Sequence, residues 1–279
     1  MPFGPLISAE TLAASTSPIR LLDARPGAEG YAASHLAGAL HADLNVALSA
    51  ASDPGFDPAR GGRHPLPSLG AWLRRLGGWG IEPSTRVVAY DGAGGGNAAC
   101  RLWWMLRAVG HAEVAVLDGG FQAALAAGLQ PTRDVPAPPA PRPASSREAW
   151  LRPLADLDEV ARRLEDPAWK VLDVRSRERW RGEVEPLDPV KGRIPGTVNL
   201  PYTENLDAAG RFKDPAALRQ QYQALLGQVP PERLVVHCGS GVTACHTLLA
   251  LELAGLPGAS LYVGSYSEWL RRGLPLGKG

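Results

Sequence analysis

Apolar residues recur along this chain in two rhythms. Short runs rich in Val, Leu and Ile, such as LLD (21–23), VVAY (87–90), VLD (171–173) and VVH (235–237), have no polar alternation and predict strands buried on both faces. Between them lie segments with a helical period, such as LADLDEVARRLED (154–166), in which Leu154, Leu157, Val160, Ala161 and Leu164 fall on one face. Strands alternating with helices predict an α/β fold: a mostly parallel sheet flanked by helices. Ligands of such sheets gather at the carboxyl ends of the strands, where the loops before helices meet.

The pattern is written twice. LLDAR (21–25) is answered by VLDVR (171–175), HLAGALHADL (35–44) by RIPGTVNLPY (193–202), and VVAYDGAGGGNAACRLWWMLRAVG (87–110) by VVHCGSGVTACHTLLALELAG (235–255), each pair about 150 residues apart. That spacing describes a duplicated domain and not a solenoid, whose period is roughly 20–50 residues. Six prolines in residues 131–143 predict a semi-rigid linker between the copies. The expected organisation is a first domain over 1–130, a linker over 131–150 and a second domain over 151–279.

Charge removes two classes of partner. With 29 basic and 28 acidic residues the formal net charge is +1, which leaves no concentrated basic field for nucleic acid or an anionic membrane. No apolar run approaches the roughly 18 residues of a membrane span, and the first residues lack the layout of a secretory signal. The expected location is cytoplasmic. Cys100, Cys238 and Cys245 cannot all pair with one another, and their expected state is reduced.

Cys238 stands where a strand meets a helix. Five residues, from Cys238 to Val242, turn the chain from the run ending at His237 into a helix beginning near Thr243. Gly239 and Gly241 allow the backbone amides of this loop to converge with the unpaired donors of the helix start. That is an anion cradle, which would favour a thiolate and so a nucleophile. The alternative is a buried packing cysteine in a glycine-rich turn. No Cys-x2-Cys or His-x3-His pair supports a metal. His237 precedes the nucleophile on the strand and points to the opposite face. His246 is expected to be a partly exposed helical residue.

LDVRSRERWRGEVEP (172–186), GRIPGTVNLPY (192–202), HCGSGVTACH (237–246) and LDGGF (117–121) resemble the two-domain, tandem rhodanese-like sulfurtransferases, and the resemblance covers nearly the whole chain. The loop CGSGVT (238–243) resembles the 3-mercaptopyruvate sulfurtransferase type. The resemblance implies that Cys238 takes sulfane sulfur from 3-mercaptopyruvate as a persulfide. It then passes the sulfur to a thiol such as thioredoxin or glutathione, or to cyanide, with no metal or organic cofactor. It also implies that Gly239, Gly241, Val242 and Thr243 cradle the substrate. Rhodanese-fold phosphatases use a Cys-x5-Arg loop, and Ala244 stands where that arginine would be, which disfavours phosphatase chemistry. A thiosulfate:cyanide sulfurtransferase and a redox or sulfur-relay docking module remain the other readings.

The first copy departs at the decisive point. Asp91 falls opposite Cys238, in the longer loop GAGGGN (92–97), and a carboxylate cannot accept sulfane sulfur. The first domain is therefore expected to be non-catalytic, with Cys100 and Cys245 as packing residues. Matching the family's pattern residue by residue, Arg179 resembles the arginine that grips the donor carboxylate. Arg175, Arg177 and Arg181 are expected on a solvated helical face. Leu187 occupies the place of a second arginine found in some mercaptopyruvate enzymes, and Arg193 that of a usual histidine. The family's Ser/His/Asp set maps to Ser240, to His64 in RHPLP (63–67) and to Asp43 in HADLN (41–45). Their alternatives are a turn serine, a surface-loop histidine and a capping aspartate.

Overall fold

The computed structural model describes residues 3–94, 96, 98–142 and 147–279. Part of the expected linker (143–146) and two residues of the first copy's glycine-rich loop (95 and 97) lie outside them. The chain forms two compact units. The first comprises residues through Ser52, Pro67–Leu151 and Ala209–Arg211; the second comprises Asp53–Leu66, Arg152–Ala208 and Phe212–Gly279. A stretch from the first half of the sequence, Asp53–Leu66, therefore packs with the second unit.

In the first unit the strands are β1 (Leu6–Ile7), β2 (Arg20–Asp23), β3 (His35–Leu36), β4 (Leu40–His41), β5 (Val87–Tyr90), β6 (Val114–Leu117) and β7 (Pro131–Thr132). The main sheet is parallel, in the order β1-β6-β5-β2-β4. Helices α1 (Ala9–Ala13), α2 (Ala28–Ala33), α3 (Leu69–Gly78), α4 (Ala99–Arg107) and α5 (Gly120–Ala126) connect and flank it. One core cluster gathers Ile7, Leu12, Leu36, Val88, Tyr90, Leu117 and Phe121. The proline-rich stretch lies along this unit: β7 pairs antiparallel with β3, and the Arg142 amide donates to the Gly77 carbonyl at 2.9 Å.

The second unit repeats the plan with β8 (Lys170–Asp173), β9 (Val198–Asn199), β10 (Leu234–His237) and β11 (Ser260–Leu261), parallel in the order β11-β10-β8-β9. Its helices are α6 (Leu157–Leu164), α7 (Arg177–Arg181), α8 (Pro215–Leu226), α9 (Ala244–Leu253) and α10 (Ser265–Arg271). Asp156 and Glu159 form a reciprocal capping box that starts α6. Leu154, expected on the face of that helix, lies before the cap and instead bridges Leu261 at the edge of the sheet. Val160, Val171, Ile194, Val235, Tyr262, Tyr266 and Trp269 form the core around this sheet. From Ala244 to Leu251 every residue of α9 is buried, as expected of a helix that is apolar on all sides.

The repeated Asp-x-Arg motif locks the carboxyl end of the sheet in both units. Strand β8 pairs with β10 so that Asp173 stands beside His237, and β2 pairs with β5 so that Asp23 stands beside Tyr90. In each case the arginine two residues on folds back over its aspartate. Arg175 reaches Asp173 through Nε at 3.0 Å and Nη2 at 2.7 Å; Arg25 reaches Asp23 through Nε at 3.0 Å and Nη2 at 2.5 Å. This corrects the expectation that Arg175 is solvated. It is buried, its Nη1 also meets Glu185 at 3.1 Å, and its guanidinium lies over the Tyr266 ring at 4.0 Å. Burial alone would raise the Asp173 carboxyl, but attraction to His237 and Arg175 holds it below the usual carboxylate range.

Candidate active site

Cys238 follows the last residue of β10, and the loop 238–242 is buried. The loop is shaped by close backbone approaches. Gly241 has φ +70°, and a Cβ there would sit 2.5 Å from the Val263 carbonyl oxygen, so only glycine fits. On the far side Tyr266 N–H donates to the Cys238 carbonyl and Ser267 N–H to the Gly239 carbonyl, at 3.1 and 2.9 Å. Ser265 adopts φ +55°, rare for a residue with a side chain. Its buried Oγ accepts from Cys238 N–H at 3.2 Å and donates to the Tyr262 carbonyl at 2.8 Å.

These bonds leave the cradle's donors unspent. Among the described residues, no protein acceptor meets the amide N–H of Gly239, Ser240, Val242 or Thr243. Buried amides are nearly always paired, so a group of unpaired ones beside a thiol and at the start of α9 defines an anion-binding concavity. Cys238 is 2% exposed and Ser240 5%, so only a ligand that enters the loop can reach the sulfur.

Segment 61–64 sits against this loop within the second unit. Gly61 N–H donates to Glu268 Oε1 at 2.8 Å. At Gly62 (φ +76°) a Cβ would come within 2.3 Å of the Gly264 carbonyl oxygen. The next two residues are presented to the site. His64 Nδ1 and Ser240 Oγ are 2.8 Å apart, so two of the three residues expected to cooperate are brought together. Asp43, in the first unit, accepts from the amides of Gly27, Asn45 and Val46 at 2.5, 2.8 and 3.0 Å, the pattern of a capping aspartate.

Arg179, expected as the carboxylate anchor, flanks the loop. Its Nε and Nη2 bind Glu185 at 3.1 and 2.7 Å, and its Nη2 lies 3.2 Å from where a Cβ on Gly239 would be. Burial would raise the Glu185 carboxyl, but hydrogen bonding and attraction to Arg179 hold it low. Arg177 and Arg181 are exposed and pair with Glu204 and Glu183, as a solvated face requires. Leu187 is 60% exposed. Arg193 covers the Trp180 ring at 4.3 Å and donates to the Gly279 carbonyl.

His246 corrects its expectation. It is fully buried, stacked on Phe212 at 4.2 Å with Tyr202 edge-on, and its Nδ1 lies 3.2 Å from Asn205 Nδ2. Burial pushes its pKa down to about 3, so it is a neutral packing residue. Cys100 and Cys245 are buried free thiols, and the Cys245 thiol donates to the Gly241 carbonyl at 3.4 Å. Sequence reading passed over Arg63, Ser265, Glu185 and Asp188. The one local signal was RHPLP, in which Arg63 directly precedes the histidine already singled out.

The rhodanese-like domain model matches residues 8–127 and again 156–272, so the chain belongs to the rhodanese-like family and carries its domain twice. Its relatives are enzymes. It is 41% identical over 286 residues to the probable 3-mercaptopyruvate sulfurtransferase of Pseudomonas aeruginosa, an alignment covering 95% of this chain and 94% of that one. It is 36% identical over 215 residues to the thiosulfate sulfurtransferase of Bos taurus, covering 75% and 71%. Among solved structures, the 3-mercaptopyruvate sulfurtransferase from Leishmania major superposes with a TM-score of 0.79 at 30% identity, covering 96% of this chain and 75% of that one. The chain is a sulfurtransferase, which requires a sulfur donor and an acceptor. Among the described residues no helix is long and apolar enough to cross a membrane.

Proposed function

We propose that this enzyme moves sulfane sulfur from 3-mercaptopyruvate to a thiol acceptor, such as thioredoxin or glutathione, or to cyanide, through a persulfide on Cys238. The observation that carries the reading is the buried ring of unpaired amides around that thiol. The Cys238 thiolate attacks the donor sulfur; an S–S bond forms, the C–S bond breaks, and its electron pair leaves as the enolate of pyruvate. The enolate takes a proton to become pyruvate, and the persulfide, having lost one, sits as an anion among the amides of Gly239, Ser240, Val242 and Thr243. An acceptor thiolate then attacks the outer sulfur and restores Cys238.

Arg179 binds the donor carboxylate in this reading, and Ser240 with His64 meets the enolate oxygen and relays its proton. Asp43, committed to three backbone amides, is assigned no step. The domains are proposed to run over 1–130 and 151–279 about the 131–150 linker, with the nucleophile in the second and residues 53–66 of the first packed with it. A cytoplasmic location belongs to the same proposal, since three free thiols suit a reducing compartment.

Donor choice follows from the loop side chains. Thiosulfate is a compact dianion that gains from a full positive charge on the loop, and residues 239–242 are Gly, Ser, Gly and Val. At an effective dielectric of about 20 a unit charge at 4 Å is worth roughly 4 kcal/mol before desolvation, and a third of that is about tenfold in rate. Steady-state kinetics with both donors should give a kcat/KM for 3-mercaptopyruvate at least about tenfold above that for thiosulfate. A preference for thiosulfate would overturn the donor assignment. Donor incubation that leaves no sulfur on Cys238 by intact mass would overturn the persulfide.

A further inference from the structure

Two guanidinium groups converge on one point of the active loop, and only one of them was expected. A Cβ placed on Gly239, the residue after the thiol, would lie 3.0 Å from Arg63 Nη2 and 3.2 Å from Arg179 Nη2. Arg63 is held from behind. Its Nη1 donates to Asp188 Oδ2 at 2.8 Å, while Asp188 Oδ1 accepts from Arg271 Nη1 at 2.8 Å. Asp188 is fully buried, so the clamp is rigid and fixes the fork of Arg63. This leaves Nη2 turned to the loop with no acceptor among the described residues. Arg179 is arranged likewise: Glu185 takes Nε and Nη2, and Nη1, 3.9 Å from the same Gly239 position, has no acceptor among the described residues.

We propose that Arg63 is a substrate-binding residue that, with Arg179, grips the carboxylate of the sulfur donor from the opposite side. This deepens the reading of the second unit as a 3-mercaptopyruvate site and rests on it. A carboxylate has two oxygens and accepts charge-assisted bonds from both guanidiniums at once. Arg63 places its charge beside Gly239, where the donor's carboxylate would lie, and not on the loop itself. Burial lowers its pKa from the usual arginine value, with attraction to Asp188 and then to Cys238 opposing, and arginine stays charged throughout. A side chain at Gly239 would press on both forks, which would have to give by a few tenths of an ångström.

The test uses the full chain with Arg63→Met, Arg63→Lys and Arg179→Met. Asp188 keeps Arg271 when Arg63 is replaced, so no buried charge is stranded. Arg63→Met should raise KM for 3-mercaptopyruvate about 10- to 100-fold with kcat within about threefold, the loss expected for one charged hydrogen bond. It should leave KM for the methyl ester of 3-mercaptopyruvate unchanged, and Arg63→Lys should recover part of the loss. Protection of Cys238 from iodoacetamide by 3-mercaptopropionate, a carboxylate that needs no turnover, should require at least about tenfold more protectant in Arg63→Met. The unprotected alkylation rate should stay the same. Equal losses for acid and ester, a slowed unprotected alkylation, or unchanged protection would overturn the proposal, the first two by showing that Arg63 acts on the thiolate. Wild-type protein that is protected by 3-mercaptopropionate in an Arg63-dependent way yet does not turn over 3-mercaptopyruvate would keep the anchor and overturn the donor reading instead.

Discussion

Asp91 and Cys238 occupy the same point of two equivalent strands, each between a central parallel strand and a buried helix. In the first unit the side chain itself is the anion: Asp91 Oδ1 accepts from Ala93 N–H at 2.8 Å and Oδ2 from Ala99 N–H at 3.0 Å. In the second unit the side chain is a thiol, and among the described residues the amides of Gly239, Ser240, Val242 and Thr243 have no protein acceptor. A carboxylate thus takes two amides at the helix start in one copy, while four amides lack a protein acceptor among the described residues of the other. Duplication separates two uses of a helix start, structural filling and ligand binding, and the difference rests on which residue follows the strand.

The two copies differ most at the thiol. Cys238→Ser should lower turnover by roughly a thousandfold or more and abolish the added sulfur, about 32 Da, while leaving the urea midpoint nearly unchanged. Sulfur loading that survives would put the nucleophile elsewhere. The next effect concerns the motif that the copies share. Arg175→Met strands Asp173 in the interior, while Glu185 keeps Arg179, and should cost about 3–5 kcal/mol by denaturant unfolding. Arg25→Met should cost less, because the Arg25 side chain is 17% exposed against none for Arg175. Asp91→Ala should cost about 1–3 kcal/mol through its stranded amides and leave donor kinetics within about twofold. A large kinetic loss there would mean that the filled loop is not only structural.

The smallest effect is acid sensitivity. His246 has its folded pKa depressed from 6.5 to about 3, so the folded protein resists its protonation while the unfolded chain accepts it. Its stabilising contribution is complete above about pH 6.5 and is lost as pH falls toward 3, reaching about 1.4 kcal/mol of loss at pH 5.5. The equivalent position of the first unit, Arg101, is buried as well but carries a group that does not titrate in this range. His246→Met should flatten that part of the stability profile between pH 7 and 5.5; an unchanged slope would assign the acid loss to other groups.

The sheet, the duplication and Cys238 could be read from the sequence because each is a local signal: buried runs, repeated strings and a strand–glycine–helix junction. Ser240 and His64 could be joined only through the family resemblance, since residues 176 positions apart meet only through the fold. Arg175 was misread for a related reason. The run of charged residues around it assigned it to a solvated face, whereas its position two residues after a buried aspartate turned it inward. Arg63 and Ser265 gave no signal of composition or period. One depends on Gly61 and Gly62 docking against the second unit, the other on a left-handed backbone angle that serine seldom shows.

Asp53–Leu66 has a consequence for how the protein can be divided. Cutting the chain in the proline-rich stretch would separate the halves as written but would strip the thiol-bearing half of Arg63 and His64. On the proposed roles of these residues, two polypeptides expressed from such a cut would have to find each other before donor could be held and its proton delivered. Activity would then rise with the square of dilute fragment concentration, and a short peptide spanning 53–66 would be the least addition able to restore it. The covalent chain turns that encounter into a permanent one, which gives the first half of the sequence a reason to stay attached.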